Sequence, residues 1–210
     1  MGRYTGPSCR LCRREGIKLM LKGSRCETAK CPMERQWRNF PPGQHSWRRG
    51  RGSEYRLRLR EKQKVKRYYG VYEKQFMKYF KRAERTKGNT GAALLSLLER
   101  RLDNVVQKLG WAPSRASARL TVGHGHVYVN GRRVNVASRL VRVGDRVTVK
   151  DADRSKKLIR ARLEEIGEPH LQNWLKMDAP KLEAEVTAMP TRDDVMIPVE
   201  EQLIVELCSQ

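Results

Sequence analysis

Long apolar runs are missing from this chain of 210 residues. None approaches the ~20 residues that a membrane-spanning helix needs, so insertion into a bilayer is not expected. The start, Met1-Gly2-Arg3-Tyr4, carries no apolar signal segment, and secretion is not expected. Aromatic residues make up only 7% of the chain while charged residues reach 32%, so the cores must be small, in one or two domains. Familiar catalytic signatures are absent too: no Gly-rich phosphate loop of the Lys-Ser/Thr type, no Gly-x-Ser-x-Gly, no His-Glu-x-x-His. Asp193-Asp194 is an adjacent acid pair, and neighbours in sequence do not share a face as a general acid and base must. His124 and His126, two apart in a Gly-containing turn, read as turn and RNA-contact residues and not as a metal site. No catalytic residue is assigned, and an enzyme is not expected.

What the chain has in excess is positive charge: 45 Lys and Arg against 23 Asp and Glu, a net +22. Such a balance does not specify a fold, but it predicts a polyanionic partner. The charge is unevenly placed. Residues 1–105 hold 28 bases and 9 acids, whereas from Glu164 onward there are 11 acids and 3 bases. The first half therefore reads as the main nucleic-acid face. The acidic end reads as a solvated surface, or one that meets basic protein neighbours.

Four cysteines near the start, Cys9, Cys12, Cys26 and Cys31, are spaced C-x2-C-x13-C-x4-C. Two close pairs of thiolates can complete a tetrahedron around one cation, which is the pattern of a structural zinc site. An iron–sulfur cluster on the same four ligands is the alternative. Apolar residues between Cys9 and Cys31 are few, so the metal would supply the folding energy of this segment. Two disulfides in a secreted protein are the competing reading, and they would leave Cys208 as an odd thiol.

Pro41-Pro42-Gly43 through Gly50-Arg51-Gly52 reads as an extended basic linker. Ser53 predicts the cap of a basic helix to about Tyr69, whose cations cover most of its circumference. A second helix is expected from about Glu73 to Lys87, with Phe76, Met77, Phe80 and Ala83 as its stripe. Leu94, Leu98, Leu102, Val105 and Leu109 predict one long amphipathic helix capped by Thr90 and ended by Gly110, with Arg100, Arg101 and Asp103 off the buried stripe. A small module follows. Ser114 caps a short helix carrying Arg115 and Arg119 on one face, and Val127-Tyr128-Val129 leads into Asn130-Gly131, a strong hairpin signal. Val134 and Val136 would alternate on the return strand, and residues 141–149 would add a second hairpin. Ser155 to Ile166 is expected to be a helix returning to the helical domain, with Leu158, Ile159, Leu163 and Ile166 inward. The rest reads as irregular, ending in short strands or a packed tail.

The fold class expected is α+β: a metal-bound N-terminal knot and a helical domain, with an inserted helix-turn-helix plus β-sheet RNA-binding module. The expected boundaries are 1–45 for the knot, 46–52 for the linker, 53–110 with 151–210 for the helical domain and tail, and 111–150 for the module.

Several segments together carry a family resemblance: Gly2-Arg3-Tyr4-Thr5-Gly6-Pro7, Cys9-Arg10-Leu11-Cys12-Arg13-Arg14-Glu15-Gly16, Pro42-Gly43-Gln44-His45, Leu59-Arg60-Glu61-Lys62-Gln63-Lys64, Arg101-Leu102-Asp103-Asn104-Val105-Val106 and Val129-Asn130-Gly131-Arg132. In this order the chain resembles a bacterial small-subunit ribosomal protein of the S-four family, in its cysteine-containing, metal-binding form. The resemblance implies a structural, primary rRNA-binding protein of the cytoplasmic ribosome. It would bind the five-prime domain of small-subunit rRNA, nucleate assembly of the subunit body and touch neighbouring small-subunit proteins, with effects on translational accuracy. It also implies that the linker faces the path along which mRNA enters, so Arg48, Arg49 and Arg51 are assigned to mRNA or rRNA phosphates. The full RNA-contact set expected from charge and resemblance is Arg3, Tyr4, Arg13, Arg14, Arg48, Arg49, Arg51, Arg56, Arg60, Lys62, Lys64, Arg67, Arg115, Arg119, His124, Asn130, Arg132 and Arg133. An RNA-modifying enzyme using the 111–150 module for delivery would need a catalytic domain for which the remaining residues leave no room. A zinc-dependent DNA-binding regulator would need a recognition helix after the cysteines, where Pro41-Pro42-Gly43 stands instead.

Overall fold

The fold was analysed in a computed structural model that describes residues 2–45, 52–167, 169 and 171–209. The chain divides into two compact units, Met1–Leu94 with Ile197–Gln210, and Leu95–Met196.

The first unit opens with α1 (Ser8–Glu15), started by Pro7 in an extended conformation and stopped by Gly16 at φ 72°, whose N–H donates to the Cys12 carbonyl. A left-handed residue at this point ends a helix cheaply only when it lacks Cβ. Two 3₁₀ turns follow, Gly23–Cys26 and Gln36–Arg38. The basic helix α2 (Glu54–Tyr68) begins as predicted: the Ser53 side chain accepts from the Arg56 N–H. It is less solvated than its composition suggests. Val65 and Tyr68 are buried, and α2 packs against α1 and against α8 (Glu201–Cys208), a terminal helix where sequence patterning suggested short strands or a tail. Helix α3 (Glu73–Glu84) buries Phe76, Tyr79, Phe80 and Ala83 and ends before Gly88, with Met77 only partly covered.

The expected single helix from Thr90 to Gly110 is two helices, α4 (Thr90–Glu99) and α5 (Leu102–Lys108). Asn89, not Thr90, caps the first: its Oδ1 accepts from the Gly91 and Ala92 N–H groups at 2.8 and 3.2 Å. The break falls at Arg101, which is extended at φ −66°, ψ 136° and bridges Leu140. There the backbone turns to pair with residues 137–141: Leu102 N–H donates to Arg139 O at 2.8 Å, Asp103 N–H to Ala137 O at 3.1 Å, and Val141 N–H to Arg100 O at 2.9 Å.

In the second unit α5 pairs with α6 (Arg115–Gly123), which Ser114 caps through the Ser117 N–H. One antiparallel sheet follows, with strand order β2-β1-β3-β5-β4 and strands β1 (Val127–Val129), β2 (Arg132–Arg133), β3 (Arg146–Val149), β4 (Leu175–Asp178) and β5 (Glu183–Val186). Asn130 and Gly131 stand at φ 52° and 73°, the left-handed pair a two-residue hairpin demands. Three expectations fail here. Val136 is exposed instead of alternating with buried Val134. Strand β3 pairs with β1 and β5 instead of closing a hairpin with residues 141–143. The β4–β5 hairpin lies in a stretch read as irregular. Val127, Val129, Val147, Val149, Ala184 and Val186 point to one face and join Leu102, Val105, Val106, Leu109, Trp111, Val122, Trp174 and Leu182 in a single core. Helix α7 (Asp153–Ile166) packs on this sheet through Ile159 and Leu163, so it belongs to the second unit and does not return to the helical one. Leu158 and Ile166, expected inward, are exposed.

Candidate nucleic-acid interface

The cysteines gather at the N-terminal end. Cys9 and Cys12 share one face of α1, the first 3₁₀ turn brings Cys26, and Cys31 follows the next turn. All four line one cavity of about 10 Å³, closed by Ser8, Leu21, Lys22, Pro32 and Met33. No disulfide joins any of the five cysteines. Two backbone groups, at Leu19 and Lys22, hydrogen-bond the Cys12 and Cys26 thiols; the Lys22 N–H reaches Cys26 Sγ at 3.4 Å. Burial pushes both thiols up, those hydrogen bonds oppose it, and the neighbouring thiols push them up further. Among the described residues, no group of three or more His, Cys, Asp or Glu side chains stands ready as a metal-ligating set. The expected metal-bound knot is therefore four thiols around one cavity, not a preformed coordination sphere.

The basic helix presents fewer cations than its sequence suggests. Arg60 and Arg67 both donate to Glu15 Oε1, Arg60 at 3.3 Å, and the Glu15 side chain is fully covered. Burial pushes the Glu15 carboxyl up, and Arg67, Arg60, Lys64 and Arg14 pull against it. Lys62 and Lys66 bracket Glu73, Lys64 pairs with Glu61 and reaches Pro198 O at 3.2 Å, and Arg58 meets Glu206 at 2.8 Å. Arg56, in the first turn, is exposed beside exposed Tyr55 and Leu57. Arg3 and Tyr4 are exposed. Arg13 and Arg14 instead donate to the carbonyls of Phe40 (3.4 Å) and Pro42 (2.8 Å). Arg48, Arg49 and Arg51 lie outside the described residues.

In the second unit the charges at the helix break are buried, against expectation. Arg101 grips Asp103 through two hydrogen bonds of 3.0 and 2.5 Å, and Lys108 reaches Glu99 at 2.9 Å. Asn104 donates to Glu99 and accepts from Arg115 Nε at 2.7 Å, while Arg119 stands 3.9 Å from Asp103. Arg115 and Arg119 do share a face, as expected, but it is the face toward α5.

Besides the exposed Lys74, Lys78, Lys81 and Arg82 of α3, an open cationic surface lies at the edge strand β2 of the sheet. His124, Arg132 and Arg133 are exposed there. The Arg133 guanidinium lies against Gly125, at φ 76°, where a side chain would collide with it. Exposed Asn130 braces the edge: its Nδ2 donates to Asp145 Oδ1 and its Oδ1 accepts from the Arg146 N–H, both at 2.8 Å. His126 Nδ1 sits 2.9 Å from Ser155 Oγ, and burial lowers its pKa, helped by His124, Arg162 and Lys150. Sequence reasoning missed Arg142, Arg146 and Lys150, also exposed, on and beside the central strand β3. The signal was available: Arg142 and Arg146 flank the Gly144-Asp145 turn, and the Asn130 N–H donates to Arg146 O at 2.9 Å. Asp194 is a turn cap that accepts from Thr191 N–H and Oγ1. Burial pushes the lone Cys208 thiol up. No helix among the described residues is long and apolar enough to cross a membrane.

Residues 3–99 match the family profile described as ribosomal protein S4/S9 N-terminal domain, and residues 100–147 match the S4 domain. The chain is 54% identical over 210 residues to the small ribosomal subunit protein uS4 of Halothermothrix orenii and, equally, to that of Caldicellulosiruptor bescii. It is 51% identical to that of Syntrophobacter fumaroxidans. In each case the match covers the whole of both chains.

Proposed function

The chain belongs to the uS4 family of small-subunit ribosomal proteins, a structural and non-enzymatic family, and we propose that it is an rRNA-binding structural constituent of the small subunit in the cytoplasmic ribosome. The observation that carries this reading is the set of exposed cations Arg132 and Arg133 on the edge strand β2 with Arg142, Arg146 and Lys150 on and beside β3, lying in and beside the S4 domain of a chain matched end to end by such proteins. Lys and Arg in this set displace condensed counterions from RNA, which gives strong, salt-sensitive affinity. Specificity comes from RNA shape, because the deep major groove of A-form RNA is closed to side chains. The target is the five-prime domain of small-subunit rRNA at a multi-helix junction, where binding nucleates the subunit body and places the protein beside neighbouring ribosomal proteins that influence accuracy. Arg48, Arg49 and Arg51 belong to the basic linker and are assigned to mRNA or rRNA phosphates from their charge and position in the sequence.

The N-terminal cysteines fit a structural zinc ion. Four sulfur donors line one cavity, a donor set that would take a tetrahedral zinc ion, with an iron–sulfur cluster as the alternative. The N–H groups that bond Cys12 and Cys26 are the outer-shell donors a thiolate site needs. Zinc, if bound, would supply the positive charge that holds these side chains as thiolates. Cys9, Cys12, Cys26 and Cys31 would then fasten α1 to the segment ending at Cys31.

The test is a salt titration of the full chain on five-prime-domain rRNA, with tRNA and duplex DNA as competitors. Tight binding that survives both competitors is expected. Arg132→Ala should weaken the cognate RNA and flatten the salt slope by about one unit. Equal affinity for all three polyanions would overturn the reading.

A further inference from the structure

Trp37 is 64% exposed, in the second 3₁₀ turn, with the Arg38 guanidinium 4.4 Å and the Arg35 guanidinium 5.8 Å from its ring centroid. Single exposed apolar residues are ordinary on soluble proteins. This one is held in place. Arg35 Nε donates to Ala29 O at 3.1 Å, and the Arg38 and Asn39 N–H groups both return to Arg35 O. Arg13 and Arg14 then pin the carbonyls of Phe40 and Pro42 to α1. The ring is therefore presented on a braced segment, so little ordering cost remains to be met on binding. The surroundings are strongly cationic: residues 2–45 carry ten Lys and Arg against three Glu.

We propose that Trp37, flanked by Arg35 and Arg38, is a stacking site for one unpaired nucleobase of the bound RNA. The inference rests on the RNA-binding reading above and adds a contact of a different kind. An indole face takes any base, because every base has a π-face, and guanidinium planes extend the platform while neutralising the adjoining phosphates. A base inside a duplex is already stacked on both sides and cannot use it. The site thus selects a looped-out or single-stranded nucleotide without reading its identity. It gives Arg13 and Arg14 the role of holding the platform, beside the phosphate contact expected from sequence.

The test uses the full chain with Trp37→Phe, Trp37→Leu and Arg38→Ala. On five-prime-domain rRNA, Trp37→Leu should lose roughly 5- to 100-fold in affinity with an unchanged salt slope, since no charge is removed. Trp37→Phe should keep most of the affinity, and Arg38→Ala should flatten the slope. In a Trp47→Phe background, a single-stranded oligonucleotide should quench Trp37 emission while a duplex at equal phosphate concentration should not; Trp111 and Trp174 are buried and stay silent. Affinity within twofold for Trp37→Leu, with wild type still preferring the rRNA, overturns the stacking site and leaves the function standing. Quenching by the duplex as strong as by the single strand overturns it as well. If wild type shows no preference for the rRNA, the function reading fails, and the oligonucleotide arm still decides the stacking.

Discussion

Removing Asp103 should unfold much of the second unit's stability at one stroke. Arg101 and Asp103 are 1% and 3% exposed, and Asp103 also accepts from the Asn104 N–H at 3.0 Å. A guanidinium cannot lose its proton to escape burial. Asp103→Ala therefore leaves a charge and several donors in the interior, and deleting one partner of a buried pair costs about 3–5 kcal/mol. A whole domain is held by only about 5–15 kcal/mol. With about 4–8 °C per kcal/mol for a domain of this size, the melting point should fall by on the order of 10–40 °C. The double variant Arg101→Met with Asp103→Leu fills similar volume without charge, and it should recover most of the loss, because buried pairs replaced by apolar groups are often neutral. The assay is thermal unfolding followed by tryptophan emission with Trp37 and Trp47 changed to Phe. Trp111 and Trp174, both in this unit's core, then report alone. A loss below about 1 kcal/mol for Asp103→Ala, or a double variant no more stable than the single one, would refute the argument that the buried pair holds this unit together.

Two further outcomes follow from the same chemistry. His126 has a folded pKa below its ordinary 6.5, so the neutral ring is the stabilised form: its contribution is complete above about 6.5 and is lost as pH falls through the folded value. Melting of the second unit should drop on acidification below 6.5, and His126→Gln should flatten that profile; an unchanged profile would show that the ring is not coupled to folding. If zinc occupies the cysteine site, Cys12→Ser should abolish stoichiometric metal and lower the first unit's melting point, as should a chelator on wild type, and full metal content in the variant would exclude Cys12 as a ligand.

How much of this was legible in the sequence depended on whether the signal was local. Ser53 and Ser114 announce their helices because a hydroxyl that satisfies an orphan N–H acts within one turn. Asn130-Gly131 announces its hairpin because both residues tolerate positive φ. The break at Arg101 was hidden because α4 and α5 both bury leucines, so the stripe from Leu94 to Leu109 continues across it. What forces the break is pairing with residues 137–141, far along the chain. The β4–β5 hairpin was missed for a different reason. Its strands are four residues each, the outer faces carry charge, and its turn uses Leu182 at φ 55° where a reader looks for Gly or Asn. Helix α8 was misread because Leu203, Ile204 and Val205 resemble a strand until α2 is seen covering them.

The candidate interface shows why net charge overstates the charge left open at the surface. The excess of bases in the first half predicted a helix that needed an anionic surface, and α2 already has one made of protein. Glu206 from the acidic end meets Arg58, Glu73 takes Lys62 and Lys66, and Glu15 takes Arg60 and Arg67. Half-buried cations held this way contribute to folding and fix the spacing of α1, α2 and α3. They release few counterions, because a cation already paired with a carboxylate neutralises few of the phosphates on which the RNA condenses them. The acidic tail is thus partly an internal partner for the basic half, and not only a solvated surface. On the proposed reading, recognition draws on exposed cations that include Arg132, Arg133, Arg142, Arg146 and Lys150 in the second unit, and on the proposed Trp37 platform in the first. A cationic surface and an aromatic platform would suit the reading of RNA shape better than a uniformly charged rod, which would bind any polyanion alike.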